Sequence, residues 1–436
     1  MRVCVTGTFD RAAGGKSVLA DPQDLRRLQL FFLATAVFVV SAGYGSLLPL
    51  LPVWLSAQMP ESSPTDVARH VGLLSGAYTA GVLVGAPLWG LISDRLGRPR
   101  ILIVGLIGYV ASLLLLLFVP SIGYLWAIYV LRATCGLFVA AVVPVVPALV
   151  AAHTPTARRA RRFAWLGASS LLGFLFGPGL NAVANVFADA ITNAPAPAAL
   201  STRIVIGLSA LLGASMMLGL ALTLPVEEEA SSPETAEPRG APRGRIAALC
   251  WLSVAVALVL AGFEVGIVLQ GQLHNDLSTQ RVALMFAECS LVMLLINAVL
   301  FFTSVLDKVL PRRVIAVGTL VAIAGLAILA SHRSHEWMYV GVSLTSAGTG
   351  LVLPVVSFLA AGVPRHILGA TMGWLAAAAG LGQTLGSAAG GWLFGGLAQL
   401  AFGWLALPLL VMLTIMLFRP RWWEGAASMT VTTTRF

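Results

Sequence analysis

Long apolar runs alternate along the chain with short polar breaks. A run of about 20 apolar residues can cross a bilayer as a helix. Twelve are predicted, at roughly 28–55, 71–92, 100–119, 122–150, 162–188, 203–225, 246–270, 281–303, 313–331, 337–361, 367–397 and 400–418. One such run alone would fit a buried core helix, but twelve in one chain would not. Between spans six and seven lies EEEASSPETAEPRGAPRGR (227–245). It is too poor in apolar residues to fold and predicts a cytosolic linker at 226–245. That linker divides a six-helix bundle at 28–225 from a second at 246–418, with cytosolic tails at 1–27 and 419–436. The expected fold is an all-α membrane protein.

Composition agrees. Of 436 residues, 58% are hydrophobic and 10% are charged, against about a quarter charged in soluble domains, so the surface must meet lipid. The net charge of +9 would suit a nucleic-acid binder, but the placement of the basic residues decides otherwise. With the N-terminus inside, 22 of the 27 Lys and Arg fall in inner segments, and Arg69, Arg203, Arg281 and Arg333 fall in outer loops. This asymmetry puts both termini in the cytoplasm of a cell (inner) membrane protein and assigns the basicity to topology, with no nucleic-acid partner. The first 27 residues hold no long apolar run, so no secretory signal is expected. Cys4, Cys135, Cys250 and Cys289 are scattered, which supports neither a disulfide framework nor a metal site. No Walker loop or catalytic triad is present; no enzyme activity and no cofactor are expected.

The halves repeat. GLISDRLGRPR (90–100) matches TSVLDKVLPRR (303–313) at an offset of 213, and FAWLGASSLLGFLFG (163–177) matches TMGWLAAAAGLGQTLG at 209, pairing Trp165 with Trp374, Gly173 with Gly382 and Gly177 with Gly386. SAGYG (41–45) matches LAGFE (260–264) weakly, at 219. Six-helix repeats mark secondary transporters, whose substrate site lies near midplane where the halves meet.

Within 90–102, Gly90, Asp94, Arg95, Gly97, Arg98 and Leu102 fit the pattern G-x-L-a-D-r-x-G-r-k-x-x-l. On these residues the chain resembles the major facilitator superfamily. The resemblance covers everything outside the tails and linker. It implies two pseudo-symmetric bundles and a gating role for this loop, with Asp94 facing the N-terminus of helix 11 near Leu368–Thr371. In LGFLFGPGLNA (172–182), Gly173, Gly177 and Pro178 resemble the family's helix 5 motif associated with proton-coupled exporters; Asn181 and Ala182 replace its last two glycines. Glycines four apart let helices approach closely in lipid, and Pro178 removes a backbone donor. Helices 5 and 8, or 2 and 11, are expected to rock across such faces. Arg132 in YVLRATCGLFVAA, with Ile128, Gly136, Ala140 and Ala141, resembles the helix 4 motif, which implies a cavity residue linked to proton transfer.

Three charges lie well within spans: Arg132, Glu264 and Glu288. Each costs at least about 2.5–3.5 kcal/mol at bilayer depth and so demands a partner or a wet cavity. Both acids are expected to share the depth zone of Arg132 from the opposite half, with Glu288 the main proton-coupling group and Glu264 the second. Drug exporters of the family often carry their acid in helix 1; here helix 1 has none. Tyr44, Asn181, Phe263, Asn297, Phe358 and Gln383 are candidate cavity linings, and Pro49, Pro52, Pro144 and Pro147 candidate bends. The expected function is proton-coupled efflux of lipophilic or amphiphilic small molecules, resembling bacterial drug:proton antiporters, by a monomer in the lipid bilayer. The alternatives are export of a specific metabolite such as a siderophore or sugar, uptake by symport, and a non-transporting membrane receptor.

Overall fold

The structure, a computed structural model, describes residues 25–118, 125–154, 156–193, 197–224, 243–273, 277–303, 309–361 and 365–418. Nearly all of them are helical, and none is in a strand. The helices run in the order α1 (Arg27–Leu47), α2 (Pro64–Leu96), α3 (Arg98–Phe118), α4 (Leu125–Val139), α5 (Thr156–Thr192), α6 (Ala198–Thr223), α7 (Arg243–Leu273), α8 (Thr279–Phe302), α9 (Pro311–Ser331), α10 (His335–Ala361), α11 (Arg365–Leu397) and α12 (Leu407–Phe418). A 3-10 turn, Leu48–Leu50, carries α1 into the short helix Leu51–Gln58, with Pro49 and Pro52 at the junction. The expected fourth span is broken: turn residues 140–144 separate α4 from Val145–Ala152, with Pro144 as cap. Pro178 lies inside α5 without interrupting it. At the α11–α12 corner Ala398 adopts a φ of 50°, and Gln399 Nε2 donates to the Leu329 carbonyl at 2.7 Å. Most of the linker and all but the inner end of the N-terminal tail lie outside the described residues, as does the C-terminal tail.

Close crossings set the packing. In a bilayer no hydrophobic effect drives helix on helix, so close backbone approach carries the association. Helix α2 crosses α4 at two glycines: a Cβ on Gly136 would run into the Tyr78 carbonyl, and one on Gly81 into the Ala133 carbonyl. Trp89 Nε1 donates to the Leu137 carbonyl at 2.7 Å across the same crossing. Helix α5 lies on α1 through Gly173, which faces the Phe38 carbonyl, and Gly177, 2.8 Å from Gly45 by the same measure. Their repeat partners Gly382 and Gly386 on α11 meet the carbonyls of Val254 and Leu258 on α7. These four motif glycines therefore join helices within each half. Phe38 and Val254 are 216 residues apart, which shifts the weak SAGYG–LAGFE register by about one helical turn.

Gly136→Ala is expected to lower the thermal unfolding temperature, at a cost of about 1–3 kcal/mol for an overpacked site. Gly167, where a Cβ would meet nothing within 4 Å, is the control: Gly167→Ala should be neutral or stabilising by up to ~1 kcal/mol. Thermal unfolding of the two purified variants checks the pair.

Candidate functional site

The α2–α4 crossing places the guanidinium of Arg132 over the ring of Tyr78, 4.9 Å from its centroid. Tyr78 in turn stacks at 4.9 Å on Tyr44 of α1, which the α1–α5 contact also holds against Phe174 at 5.5 Å. The Tyr44 hydroxyl lies near the carboxyl of Glu264 on α7, and Tyr44 feels the charge of Arg132. One cation and one acid from opposite halves are thus linked through two stacked tyrosines. Arg132 is 2% exposed, and its Nε and Nη2 have no hydrogen-bond partner among the described residues. Its compensation is the ring face, a contact worth ~2 kcal/mol when desolvated.

Glu288 stands elsewhere. It accepts a short hydrogen bond from Ser343 Oγ on α10, and its Oε2 is buried without a partner. Cys289 feels both Glu264 and Glu288, so the acids are neighbours within the C-terminal half, but only Glu264 reaches across the junction. The remaining candidates divide. Asn181 is buried, with both amide atoms unpartnered. Asn297 turns back on its own helix, Nδ2 donating to the Met293 carbonyl at 2.8 Å. Gln383 is half-buried and Phe358 exposed. Phe263 is fully buried against Phe402, ring centroids 6.4 Å apart, in the core of the C-terminal half.

In the 90–98 stretch, Gly97 alone lies between helices, closing α2 at φ 88°, a conformation that favours glycine. Arg98 Nη1 donates to the Ala148 carbonyl at 3.3 Å, tying the loop to the far end of the fourth span. Gly90 meets nothing and Arg95 is exposed. The side chain of Asp94 and those of residues 361–370 lie outside the described residues, and the expected pairing with them.

The halves meet at the other ends of α2 and α11. A Cβ on Gly72 would lie 2.6 Å from Gly391 Cα, and one on Gly391 2.7 Å from the Ala68 carbonyl. Thr65 Oγ1 donates to the Gly395 carbonyl at 2.9 Å, and Arg69 lies 4.4 Å over Trp392. At the opposite ends Gly90, Gly167 and Gly373 face open space, and Trp165 and Trp374 are exposed. The junction is shut at one end, with the Tyr44–Glu264 contact bridging the halves.

The sequence model of the Major Facilitator Superfamily matches residues 33–300. The chain belongs to the Major Facilitator Superfamily. As a superfamily member it is a multi-pass membrane protein. It is 35% identical over 136 residues to the class B tetracycline resistance protein of Escherichia coli, covering 31% of this chain and 32% of that one. Over 153 residues it is 29% identical to the quinolone resistance protein NorA of Staphylococcus aureus, covering 35% and 37%. The matched stretches span about a third of these relatives' length. Among solved structures the human organic anion transporter MFSD10 superposes with a TM-score of 0.68 at 18% identity, over 89% of this chain and 99% of that one. A peptide transporter, POT, superposes at 0.70 and 14%, over 92% and 97%. The likeness is one of fold; ten long apolar helical stretches among the described residues, the last of them divided by the corner at Ala398, and the shorter Leu125–Val139 fit a twelve-helix architecture.

Tyr78 and Tyr109 were not singled out by sequence. A signal existed: the chain has six tyrosines, and three of them, Tyr44, Tyr78 and Tyr109, gather within range of Arg132's charge.

Proposed function

We propose that the chain is a proton-coupled secondary transporter of the cell (inner) membrane that exports lipophilic or amphiphilic small molecules by alternating access. The observation that carries this reading is the Arg132–Tyr78–Tyr44–Glu264 chain across the junction. A carboxylate sheds its charge by taking a proton when it loses polar partners, and keeps the charge when it has them. With the α2–α11 end shut, Glu264 has Tyr44 and, beyond it, the cation. Rocking the halves apart at that end parts Tyr44 from Glu264, so conformation and protonation are coupled. Arg132 holds the charged form and Glu264 carries the proton. Glu288 lacks that cross-half partner, and the expected order of the two acids is reversed.

The resistance proteins that the chain resembles are named for tetracycline and quinolones, which favours drug-sized substrates over a siderophore or sugar. The basic asymmetry, 22 inner against 4 outer, puts both termini in the cytoplasm and makes the shut end the outer one. The segment 226–245 joins the halves. The passage lies between two halves of one chain, so a monomer is a complete transporter. Of the candidates, Asn181 offers the substrate unpaired amide atoms, with Tyr44, Gln383, Asn297 and Phe358 as secondary contacts; the helix-5 set Gly173, Gly177 and Pro178 holds α5 on α1, and Gly90, Asp94, Arg95, Gly97 and Arg98 form the inner gating loop.

Inverted vesicles with an imposed pH gradient test the reading: acid inside should drive accumulation of tetracycline, a quinolone or a lipophilic dye. Accumulation that ignores the gradient, or that runs with the protons, defeats it. In the same assay Glu288→Gln is expected to keep most of the gradient dependence, because its carboxyl bonds only to Ser343; complete loss of gradient dependence in this variant would restore Glu288 as the coupling acid.

A further inference from the structure

The C-terminal half carries an open groove where the N-terminal half is closed. The register that pairs Phe38 with Val254 also pairs Phe32 of α1 with Ala248 of α7. In the N-terminal half the Phe32 ring presses on Gly219 of α6, where a Cβ would lie 2.3 Å from it, and Gln29 Nε2 donates to the Thr223 carbonyl at 2.9 Å. Those contacts seal α1 against α6. With alanine in place of that ring, α7 and α12 leave a groove of about 560 Å³, within the ~300–1,000 Å³ of small-ligand sites. Ala248, Ala255 and Met412 form its buried floor, and Trp251, Leu407 and Val411 its exposed rims. Every lining residue is apolar. The groove follows α7 from Ala248 to Leu258, about 15 Å, the depth of one leaflet of a ~30 Å hydrocarbon core. Basic residues gather where it begins. Arg245 lies three residues before Ala248 and continues the same stripe of α7. Arg312, at the start of α9, donates from Nη2 to the Met416 carbonyl at 2.9 Å, one turn inward of Met412, and Arg313 beside it is exposed. Arg419 and Arg421 follow α12 in the sequence, and no Asp or Glu stands in 238–247, 311–314 or 407–423.

We propose that this groove binds an anionic phospholipid of the cytoplasmic leaflet, with one acyl chain between α7 and α12 and the headgroup phosphate against Arg245, Arg312 and Arg313. The choice of leaflet rests on the orientation given under the proposed function. An apolar lining gives water no partners, and an unfilled groove forfeits the dispersion contacts of its walls, so in a bilayer an apolar molecule fills it. The open rims admit a chain still joined to its headgroup at the interface. The lining holds no charged group to orient a polar solute, whereas its length matches one leaflet and its mouth is basic. Basic pockets between membrane helices on the cytoplasmic side bind anionic headgroups. Arginine suits phosphate because its planar fork donates in pairs. The bond to Met416 occupies one of the five donors of Arg312, and the rest remain for a ligand. A chain in this position takes the place that Phe32 holds in the other half and braces α12 on α7.

The test uses the purified protein in a neutral detergent, with dioleoylphosphatidylglycerol as the anionic probe and dioleoylphosphatidylcholine, which has the same chains, as the control. Phosphatidylglycerol should raise the thermal unfolding temperature of the wild type, by mass action on the folded state, and should persist through delipidating washes as a bound mass in native mass spectrometry. Phosphatidylcholine should do both several-fold less. Ala248→Phe, which restores the ring that the N-terminal half has, and Val411→Trp, which narrows the groove from its exposed rim, should each lose most of the rise. If Ala248→Phe fails to fold, Val411→Trp decides alone. Arg245→Gln combined with Arg313→Gln should bring the phosphatidylglycerol response down to the phosphatidylcholine level. An equal wild-type response to the two lipids, or a phosphatidylglycerol response that the groove and charge variants retain, would overturn the proposal. So would displacement of bound phosphatidylglycerol by a lipophilic dye together with loss of dye transport in Val411→Trp, since the groove would then be a substrate entrance. Binding is read without a pH gradient or a membrane orientation, so failure of the proton-coupled reading or of the assigned topology leaves this result standing.

Discussion

Glu264→Gln is expected to abolish gradient-driven transport while leaving substrate exchange at equal pH intact. The amide keeps the shape of the side chain but can neither bind nor release a proton. Proton-driven cycling needs the empty carrier to return in a defined protonation state; exchange does not, because substrate occupies the site on both strokes. A hydrogen bond from a hydroxyl such as Tyr44's is worth about 1.5–3 kcal/mol when the carboxyl that accepts it is charged. A neutral amide retains about 0.5–1.5 kcal/mol of that, so the outer-closed state should lose part of its bias without unfolding. The measurement is a pair of rates in the same vesicles. Gradient-driven accumulation that survives at wild-type rate would remove Glu264 from the mechanism. Equal loss of both rates would make it a substrate contact or a fold determinant. Arg132→Gln should depress the gradient-driven rate as well, but with a stability cost, since it also strips the ring of Tyr78 of its cation.

Much of the fold was legible because bilayer crossing needs only length and apolarity, and the breaks between runs are polar. The interruption after α4 was not. Residues 140–144, AAVVP, are as apolar as a helix, and only Pro144 hinted at the turn. The site was half legible. Depth follows from counting residues along a span, so Arg132, Glu264 and Glu288 could be placed at similar heights. Which way each points cannot be counted, because helices apolar all round carry no polar stripe to mark the inner face. That is why counting alone does not separate Glu288, which turns to Ser343, from Glu264, which lies near Tyr44. The glycines misled for a related reason. A run of spaced glycines announces close packing without naming the partner, and Gly173, Gly177, Gly382 and Gly386 found theirs within their own halves. The seam between the halves uses Gly72 and Gly391, which no motif marked.

That seam carries the second large effect. Gly72→Leu should hold the outer end open and stop transport, by blocking one state instead of unfolding the protein. A Cβ at Gly72 already lies 2.6 Å from Gly391 Cα, 2.7 Å from the Ser387 carbonyl and 2.8 Å from Gly391 N. All three are backbone atoms of α11 and cannot swing aside as a side chain tip can. The clash lies between halves, so parting them at this end relieves it, whereas a clash inside one bundle such as that at Gly136 has no such escape. The closed seam is also poised for opening. It buries the hydroxyls of Ser75 and Ser387 without partners, each a cost of about 1–3 kcal/mol, against which stand the Thr65–Gly395 hydrogen bond and the Arg69–Trp392 contact. Overpacking of about 1–3 kcal/mol set on such a balance shifts the population of the two states by roughly fivefold to a hundredfold. A cysteine at Ser75 or Ser387, in an otherwise cysteine-free background, reports the outcome: both are fully buried here and should react much faster with a membrane-impermeant thiol reagent from outside when Gly72 is Leu. A variant that stays unlabelled and transports normally would show that the two helices do not part at this seam. Adding Gly391→Ala to Gly72→Leu should deepen the outward bias, whereas Trp392→Ala alone, which removes only the cation contact, should raise labelling slightly and leave transport running.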